Sequence, residues 1–323
     1  MQLLVNRSTD PTYNLALEEY VLTQLKRELV VLWRNSKAVI LGQNQNAVTE
    51  VDLDYARKQN IAVVRRQSGG GAVFHDLGNV NYTLIKPFDG DDFGDYQMFT
   101  APLRDFLLKK GVSVSLSGRN DLVIGDSKFS GNAQAVRGKW IMHHGCVLFN
   151  ADFSHLSAAL RPNPAKIASK GIRSVRSRVT NLIDHLPELI TADEFFDQLA
   201  DHFRAASDGE YLLTDVDVTS IQSLAQEKYR TWEWNIGYSP HYRYSKSCYF
   251  SFGTVELGMD VSDGTIRRAA VTGDFFGLRP KDELEDALIG VRHEEGAIRE
   301  ALVSLDLQSF VQGMGIDDFL KLF

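Results

Sequence analysis

The sequence predicts an α+β protein: a mixed sheet covered by helices, followed by a small α+β domain at the C-terminal end. Three observations carry that expectation. Short apolar runs of strand type alternate with helical patterns, but without the strict strand–helix–strand rhythm of a parallel sheet. After Gly237-Tyr238-Ser239-Pro240 the pattern changes to three short alternating segments punctuated by turn residues. The length of 323 residues suggests about two domains. The expected division is 1–240 for the main domain and 247–323 for the small one, with a linker at about 237–246.

Taken in order, Leu3 to Val5 reads as a first strand. Asp10-Pro11 then opens a helix, with Asp as N-cap and Pro at the first helical position. Leu15, Leu17, Val21, Leu22 and Leu25 supply its apolar side. Leu29 to Trp33 and Ala38 to Leu41 read as strands joined by a hairpin-like connection at Arg34-Asn35-Ser36-Lys37. Leu53 to Gln59 is a short helix. Ile61 to Val64 and Val80 to Ile85 are strands flanking a glycine loop. Met98 to Lys110 is a helix stopped by Gly111.

Val112 to Leu116, Asp121 to Ile124 and Trp140 to Phe149 follow as strands, then Asp152 to Leu160, Ala192 to Ala205 and Ser220 to Tyr229 as helices. Beyond the linker, Ser247 to Phe252, Val255 to Val261 and Thr265 to Thr272 form a meander, with Asp263-Gly264 as a strong hairpin signal. Helical patterns from Pro280 to Leu288 and Glu294 to Leu302 complete the small domain.

Composition narrows the function classes. A hydrophobic content of 44% and a charged content of 24% are ordinary for a soluble globular enzyme. A net charge of −7 argues against a general nucleic-acid binder. No apolar run reaches the ~18 residues of a membrane span. The N-terminus lacks a basic leader followed by a long apolar core. Cys146 and Cys248 lie far apart, a poor disulfide framework that fits a reducing cytoplasm.

The stretch Arg65 to Asn79, Arg-Arg-Gln-Ser-Gly-Gly-Gly-Ala-Val-Phe-His-Asp-Leu-Gly-Asn, is the most informative. Three consecutive glycines weaken any strand and make sense where a ligand must approach the backbone closely. Bare amides in such a turn form an anion-binding concavity. Arg65 and Arg66 stand beside it, and guanidinium matches phosphate or carboxylate. Ala72, Val73 and Phe74 are fit to wall an apolar ligand. Taken alone, the loop reads equally as a glycine bulge in a hairpin with two solvated arginines beside it. It matches neither GxxxxGK[ST] nor GxGxxG.

A second cluster runs from Gly118 to Ala133. Lys128 lies among Ser127, Ser130 and Gly131; a loop lysine is usually solvated, but beside glycine it can serve as a fixed point charge on a phosphate. Asp121 caps a turn or holds magnesium. His143 and His144 would face opposite sides of a strand and have no metal-ligand partner motif. His144 near an acyl pocket and a structural histidine are about equally supported. Cys146 in an apolar strand reads more readily as core than as nucleophile. Lys170 to Arg178 carries four positive charges in nine residues, suited to an anionic ligand or a solvated loop.

These motifs together resemble those of lipoate–protein ligases of the two-domain bacterial type. The resemblance rests on Arg65 to Asn79, Ser117 to Val123, Lys128-Phe129-Ser130-Gly131, His143-His144-Gly145, Asn150-Ala151-Asp152 and Lys170 to Leu182. Leu32-Trp33-Arg34-Asn35 and Trp232-Glu233-Trp234-Asn235 add to it, so it spans nearly the whole chain in the same order. It implies a biotin/lipoate ligase-like catalytic domain with a small accessory domain. It implies that ATP, with Mg2+, activates lipoate or octanoate to an acyl-adenylate. The acyl group then passes to a lysine of an acceptor: an E2 lipoyl domain of a 2-oxoacid dehydrogenase complex, or the glycine cleavage H protein.

By the same resemblance Lys128 is catalytic and binds near the α-phosphate and the lipoyl carbonyl. Arg66 and the backbone of Gly71, Ala72, Val73 and Phe74 contact the nucleotide. Trp33 and His144 enclose the acyl chain, and Asp121 holds magnesium-bound phosphates. The basic stretch Lys170 to Arg178 is expected to order over the adenylate, and the small domain to swing. The rival readings are an ATP-independent octanoyl or lipoyl transferase of the same fold using Cys146, a biotin ligase, and a non-enzymatic lipoate-binding protein. The Lys128 element and the accessory domain favour the ligase.

Overall fold

A computed structural model describes the chain except residues 46, 119, 161–178, 240–241, 274–278 and 280. The chain divides into two compact units, Met1–Asn235 and Ile236–Phe323.

The strands of the first unit, in chain order, are β1 (Gln2–Val5), β2 (Leu29–Trp33), β3 (Ala38–Leu41), β4 (Ala62–Arg65), β5 (Val73–His75), β6 (Asn79–Pro87), β7 (Ser115–Ser117), β8 (Asp121–Ile124), β9 (Ser127–Arg137) and β10 (Trp140–Leu148). Seven of them form one sheet in the order β1-β2-β6-β10-β9-β8-β7. Only β1 and β2 run parallel in it; the other neighbours are antiparallel. A smaller sheet, β4-β3-β5, has β3 parallel to β4 and antiparallel to β5. Both are mixed sheets, where the sequence led to the expectation of one.

Each strand of the large sheet turns alternate residues to opposite faces. One face carries Leu32, Tyr82 and Phe129 and is covered by Phe99 and Leu103 of helix Tyr96–Lys109 and by Phe195 and Leu199 of helix Ala192–Ala205. The other face carries Val31, Ile85 and Met142. It is covered by Leu15 of helix Pro11–Tyr20 and by Ile40 and Val64 of the small sheet. Burial of such side chains contributes roughly 1.5–3 kcal/mol each. The chemistry lies on this second face, between the two sheets.

Local signals explain several element ends. The Asp10 side chain accepts from the Thr12 amide at 2.9 Å, with Pro11 at the first helical position. The helix over Ala192–Ala205 starts at a capping box of Thr191 and Glu194. Gly111 takes φ +80° just past helix Tyr96–Lys109.

Other expectations are corrected. β2 and β3 do not form a hairpin; they lie in different sheets. Both strands are buried throughout, so neither alternates to reveal its face, and Asn35 between them is buried and bonded to Asn14 and His75. The glycine loop joins β4 to β5 within the small sheet, whereas β6 belongs to the large one. β9 is an eleven-residue strand absent from the expectation, because Gly131 and Asn132 have low strand propensity. The helix expected from Ser220 begins at Asp215, where Thr214 and Asp217 make a capping box.

In the second unit β11 (Tyr242–Phe250), β12 (Gly253–Ser262) and β13 (Thr265–Gly273) form an antiparallel meander. β11 starts five residues before the expected Ser247, so the stretch 242–246 is strand and not linker. Asp263 and Gly264, at φ 52° and 66°, make the tight turn that their sequence signals. Val255, Leu257 and Ile266 pack against Ile298, Phe310 and Phe319 of its short helices. No helix among the described residues is long and apolar enough to cross a membrane.

Candidate active site

Residues paired across neighbouring strands point to the same face. One such row runs Trp33 (β2), Asn81 (β6), Cys146 (β10), Gly131 (β9), Asp121 (β8). The next row is Val31, Thr83, His144, Ala133. Trp33, Asn81, Cys146, Gly131, His144 and Ala133 of these rows form the floor of a cavity of about 170 Å³. Leu15, Ile40, Arg66, His75 and the loop Gly70 to Val73 close it from the opposite side.

Lys128 sits at one end of the floor. Its Nζ is 2.8 Å from Asp121 Oδ1, and both side chains are about one-third exposed. The amine lies over Gly131, where a Cβ would stand 2.8 Å from Nζ. The glycine therefore provides the space that the ammonium occupies. The Lys128 carbonyl accepts from the Thr180 amide at 2.9 Å, so the chain following residues 161–178 resumes against this strand. The basic stretch Lys170 to Arg178 itself lies outside the described residues.

Arg66 folds the glycine loop around its own guanidinium. Nη2 donates to the carbonyls of Gly69 (2.6 Å) and Gly71 (3.0 Å), Nη1 to Ile40 O (3.1 Å), and Nε to Ser68 Oγ (2.9 Å). Burial lowers its pKa to about 10, which leaves it cationic at neutral pH. With these carbonyls drawn to the arginine, the amides of Gly70, Gly71 and Ala72 donate to no protein acceptor among the described residues. Amides left open in this way are what the anion-binding reading of the loop requires.

Arg65 has a different role from the one expected. It is fully buried and donates to the carbonyls of Gly42, Gln43, Gln45, Trp234 and Asn235. It ties the loop to two other segments and does not reach the cavity.

His144 lines the cavity and belongs to a buried chain of polar groups. Its Nε2 is 2.7 Å from Ser68 Oγ and its Nδ1 2.9 Å from Glu18 Oε1. Glu18 also accepts from Thr83 Oγ1 at 2.6 Å, and Thr83 accepts from Trp33 Nε1 at 2.9 Å. Serine, histidine and carboxylate thus have the connectivity of a hydrolase triad. Ser68 is nonetheless off the cavity wall and accepts from Arg66, so the chain positions the arginine and does not present a nucleophile. His143 points to the other face, stacked on Phe99 at 4.9 Å, with burial holding its pKa down to about 3.

The structure thus brings together Trp33, Arg66, Gly71, Ala72, Val73, Lys128 and His144. Phe74 is not on the wall: its ring is buried against His155 at 5.7 Å. Asp121 pairs with Lys128, and among the described residues no three His, Cys, Asp or Glu side chains group to hold a metal. Glu18, His75 and Asn81 were not singled out from the sequence. Glu18 carried a signal, since it shares the helical face of Leu15 and Leu22 at i+3 and i−4. Cys146 Sγ lines the cavity without a hydrogen-bonded base among the described residues.

Residues 10–204 match the profile of the lipoyl protein ligase A/B catalytic domain. Residues 239–323 match that of the bacterial lipoate protein ligase C-terminus. The chain is 42% identical over 320 residues to lipoate–protein ligase 1 of Staphylococcus aureus, covering 98% of each chain. It is 38% identical to lipoate-protein ligase LplJ of Bacillus subtilis, covering 97% of this chain and 96% of that one. Among solved structures, the bipartite lipoate protein ligase of Thermoplasma acidophilum superposes with a TM-score of 0.64 at 29% identity, over 73% of this chain and 96% of that one. A lipoate-protein ligase A bound with ATP gives 0.62 at 27% identity, over 73% and 98%.

Proposed function

The chain belongs to the lipoate–protein ligase family, and on that footing we propose that the cavity between its two sheets is where lipoate is activated and transferred. The protein is an ATP-dependent lipoate–protein ligase. Lipoate's carboxylate attacks the α-phosphorus of ATP, giving lipoyl-AMP and releasing pyrophosphate. A neutral lysine amine of the acceptor then attacks the carbonyl of that mixed anhydride. The amide forms and AMP leaves.

Neither step asks for a protein nucleophile. The first brings two anions together, so fixed cations and oriented amides should supply most of the acceleration. One observation carries the assignment. The Lys128 ammonium, Arg66 and the uncommitted amides of Gly70 to Ala72 all border a cavity whose floor leads from Lys128 to Trp33. In this reading Lys128 steadies charge at the α-phosphate and later at the lipoyl carbonyl. Arg66 and the loop hold the nucleotide. Trp33, Val73 and Leu15 enclose the acyl chain. Asp121 pairs with Lys128, and as a single carboxylate it suits magnesium that enters with ATP, phosphate and water supplying the remaining ligands.

A lipoyl domain is the acceptor class that fits, as the structural work on the Thermoplasma acidophilum system covers the ligase and its E2 lipoyl domain. The glycine cleavage H protein is a further acceptor we propose. The transferase alternative is kept because Cys146 lines the cavity.

Pyrophosphate release with Mg·ATP and lipoate separates the two. The expected result is lipoate-dependent release that survives Cys146→Ala and is lost in Lys128→Ala. Absence of release, with acyl transfer that depends on Cys146, would overturn the ligase assignment.

A further inference from the structure

The end of the cavity away from Lys128 is not purely apolar. Two buried polar groups there have no partner among the described residues: Nε2 of His75, and both Nδ2 and Oδ1 of Asn81. His75 is 4% exposed and Asn81 1%, and both line the cavity. An unpaired buried polar group is costly, and native structures rarely keep one without a reason. Nothing in the lipoyl-adenylate chemistry assigned above uses either group.

The proton positions follow from a chain of amides. Asn6 Nδ2 donates to Asn14 Oδ1 at 2.7 Å, and Asn14 Nδ2 donates to Asn35 Oδ1 at 2.8 Å. That turns the Asn35 Nδ2 toward His75 Nδ1, 3.1 Å away. His75 Nδ1 therefore accepts, and the ring's proton is on Nε2. Burial and the nearby Arg66 cation hold the ring's pKa down to about 3, so it stays neutral. His75 thus presents a fixed N–H donor. Its ring lies edge-on to Trp33, at 6.2 Å between centroids. Asn81 is the direct cross-strand neighbour of Trp33. The donor and the carboxamide therefore share the Trp33 end.

Distance then decides what they meet. From Gly131, under the Lys128 ammonium, to Asn81 is two strand spacings, via Cys146. At about 4.8 Å per spacing that is roughly 10 Å. An extended eight-carbon acid with its carboxylate at Lys128 brings C6 to C8 to Asn81. Those are the ring carbons of lipoate, whose dithiolane is closed by sulfurs on C6 and C8. Sulfur is a weak acceptor that suits an imidazole or amide N–H. A saturated tail offers nothing.

We propose that His75 and Asn81 form a polar end wall that recognises the sulfur-bearing ring and selects lipoate over octanoate. This rests on the ligase reading. A site whose buried polar groups are left unpaired by an analogue discriminates against it more strongly than an apolar pocket does.

The test is pyrophosphate release by the full chain at saturating Mg·ATP, comparing kcat/KM for lipoate and octanoate. The unsubstituted chain should favour lipoate by about tenfold or more. Asn81→Leu, close in volume and apolar, should bring the ratio toward one, with KM for lipoate rising and octanoate use improving. His75→Phe should move the ratio in the same direction. Equal use of both acids by the unsubstituted chain, or a preference that both variants keep, would overturn the inference and leave the ligase reading intact. Release with neither acid would sink both. Because the unsubstituted ratio is itself decisive, a variant that fails to fold does not rescue the idea.

Discussion

Gly131→Ala is the most pointed test of the site. The added Cβ would stand 2.8 Å from Lys128 Nζ and 3.0 Å from Cε, where ordinary contact begins at 3.4 Å. The ammonium must retreat by about 0.6 Å to relieve the closer contact. It has little room, since Asp121 Oδ1 holds it at 2.8 Å and that carboxylate lies only 4.0 Å from the same Cβ. The end of a lysine chain yields easily, so the fold should barely register the change; surface-like adjustments of this kind are usually within about 0.5 kcal/mol. Catalysis should register it strongly. A misplacement approaching 1 Å at a charge-stabilising group is worth about a hundredfold in rate, or about 2.7 kcal/mol of barrier. The assay is single-turnover pyrophosphate release beside thermal unfolding of the same preparation. The expected pattern is a rate down about a hundredfold at unchanged Tm. A rate within twofold of the original would refute the placement of Lys128 over Gly131 as the working geometry.

Three further outcomes follow from the same contacts. Gly42→Ala puts its Cβ inside the contact radius of Gly70 O, a backbone atom that cannot rotate aside; it should cost about 1–3 kcal/mol in denaturant unfolding and weaken ATP binding, while Gly69→Ala, which meets nothing within 4 Å, should do neither. Arg65→Lys leaves at most three donors for five buried or part-buried carbonyls, so about 2–6 kcal/mol of stability should be lost, read as the denaturation midpoint. His75 and His143 have pKa values near 3 when folded against an ordinary 6.5. Between those limits the unfolded chain binds more protons, so stability falls as pH falls, by about 2 kcal/mol per group at pH 5. The drop in Tm between pH 7 and pH 5 should shrink in His143→Gln; an unchanged drop would discount that assignment.

The sequence exposed what is local. Asp10-Pro11 and Asp263-Gly264 each declare a cap or turn by residue type, and each stands where expected. The glycine loop and Lys128 were legible as anion-binding elements for the same reason. The floor of the cavity was not. Trp33, Asn81, Cys146, Gly131 and Asp121 come from five strands and meet only through register. Nothing in their spacing along the chain records that meeting.

The missed strand shows why site and fold pull apart in a sequence. β9 carries Lys128, Gly131 and Asn132 because the ammonium needs bare backbone beneath it and Asn132 must exchange bonds with Asn120 at 2.6 and 3.1 Å. Those requirements select the residue types that weaken strand propensity. The strand survives because neighbours on both sides, β10 and β8, satisfy its backbone. Its low propensity is thus a consequence of what it holds, and local rules should fail first where chemistry overrides them. Asn81 follows the same logic from the other direction. An asparagine in the middle of a buried strand is a poor choice for packing, so its place in the Trp33 row calls for a partner that the described residues do not supply.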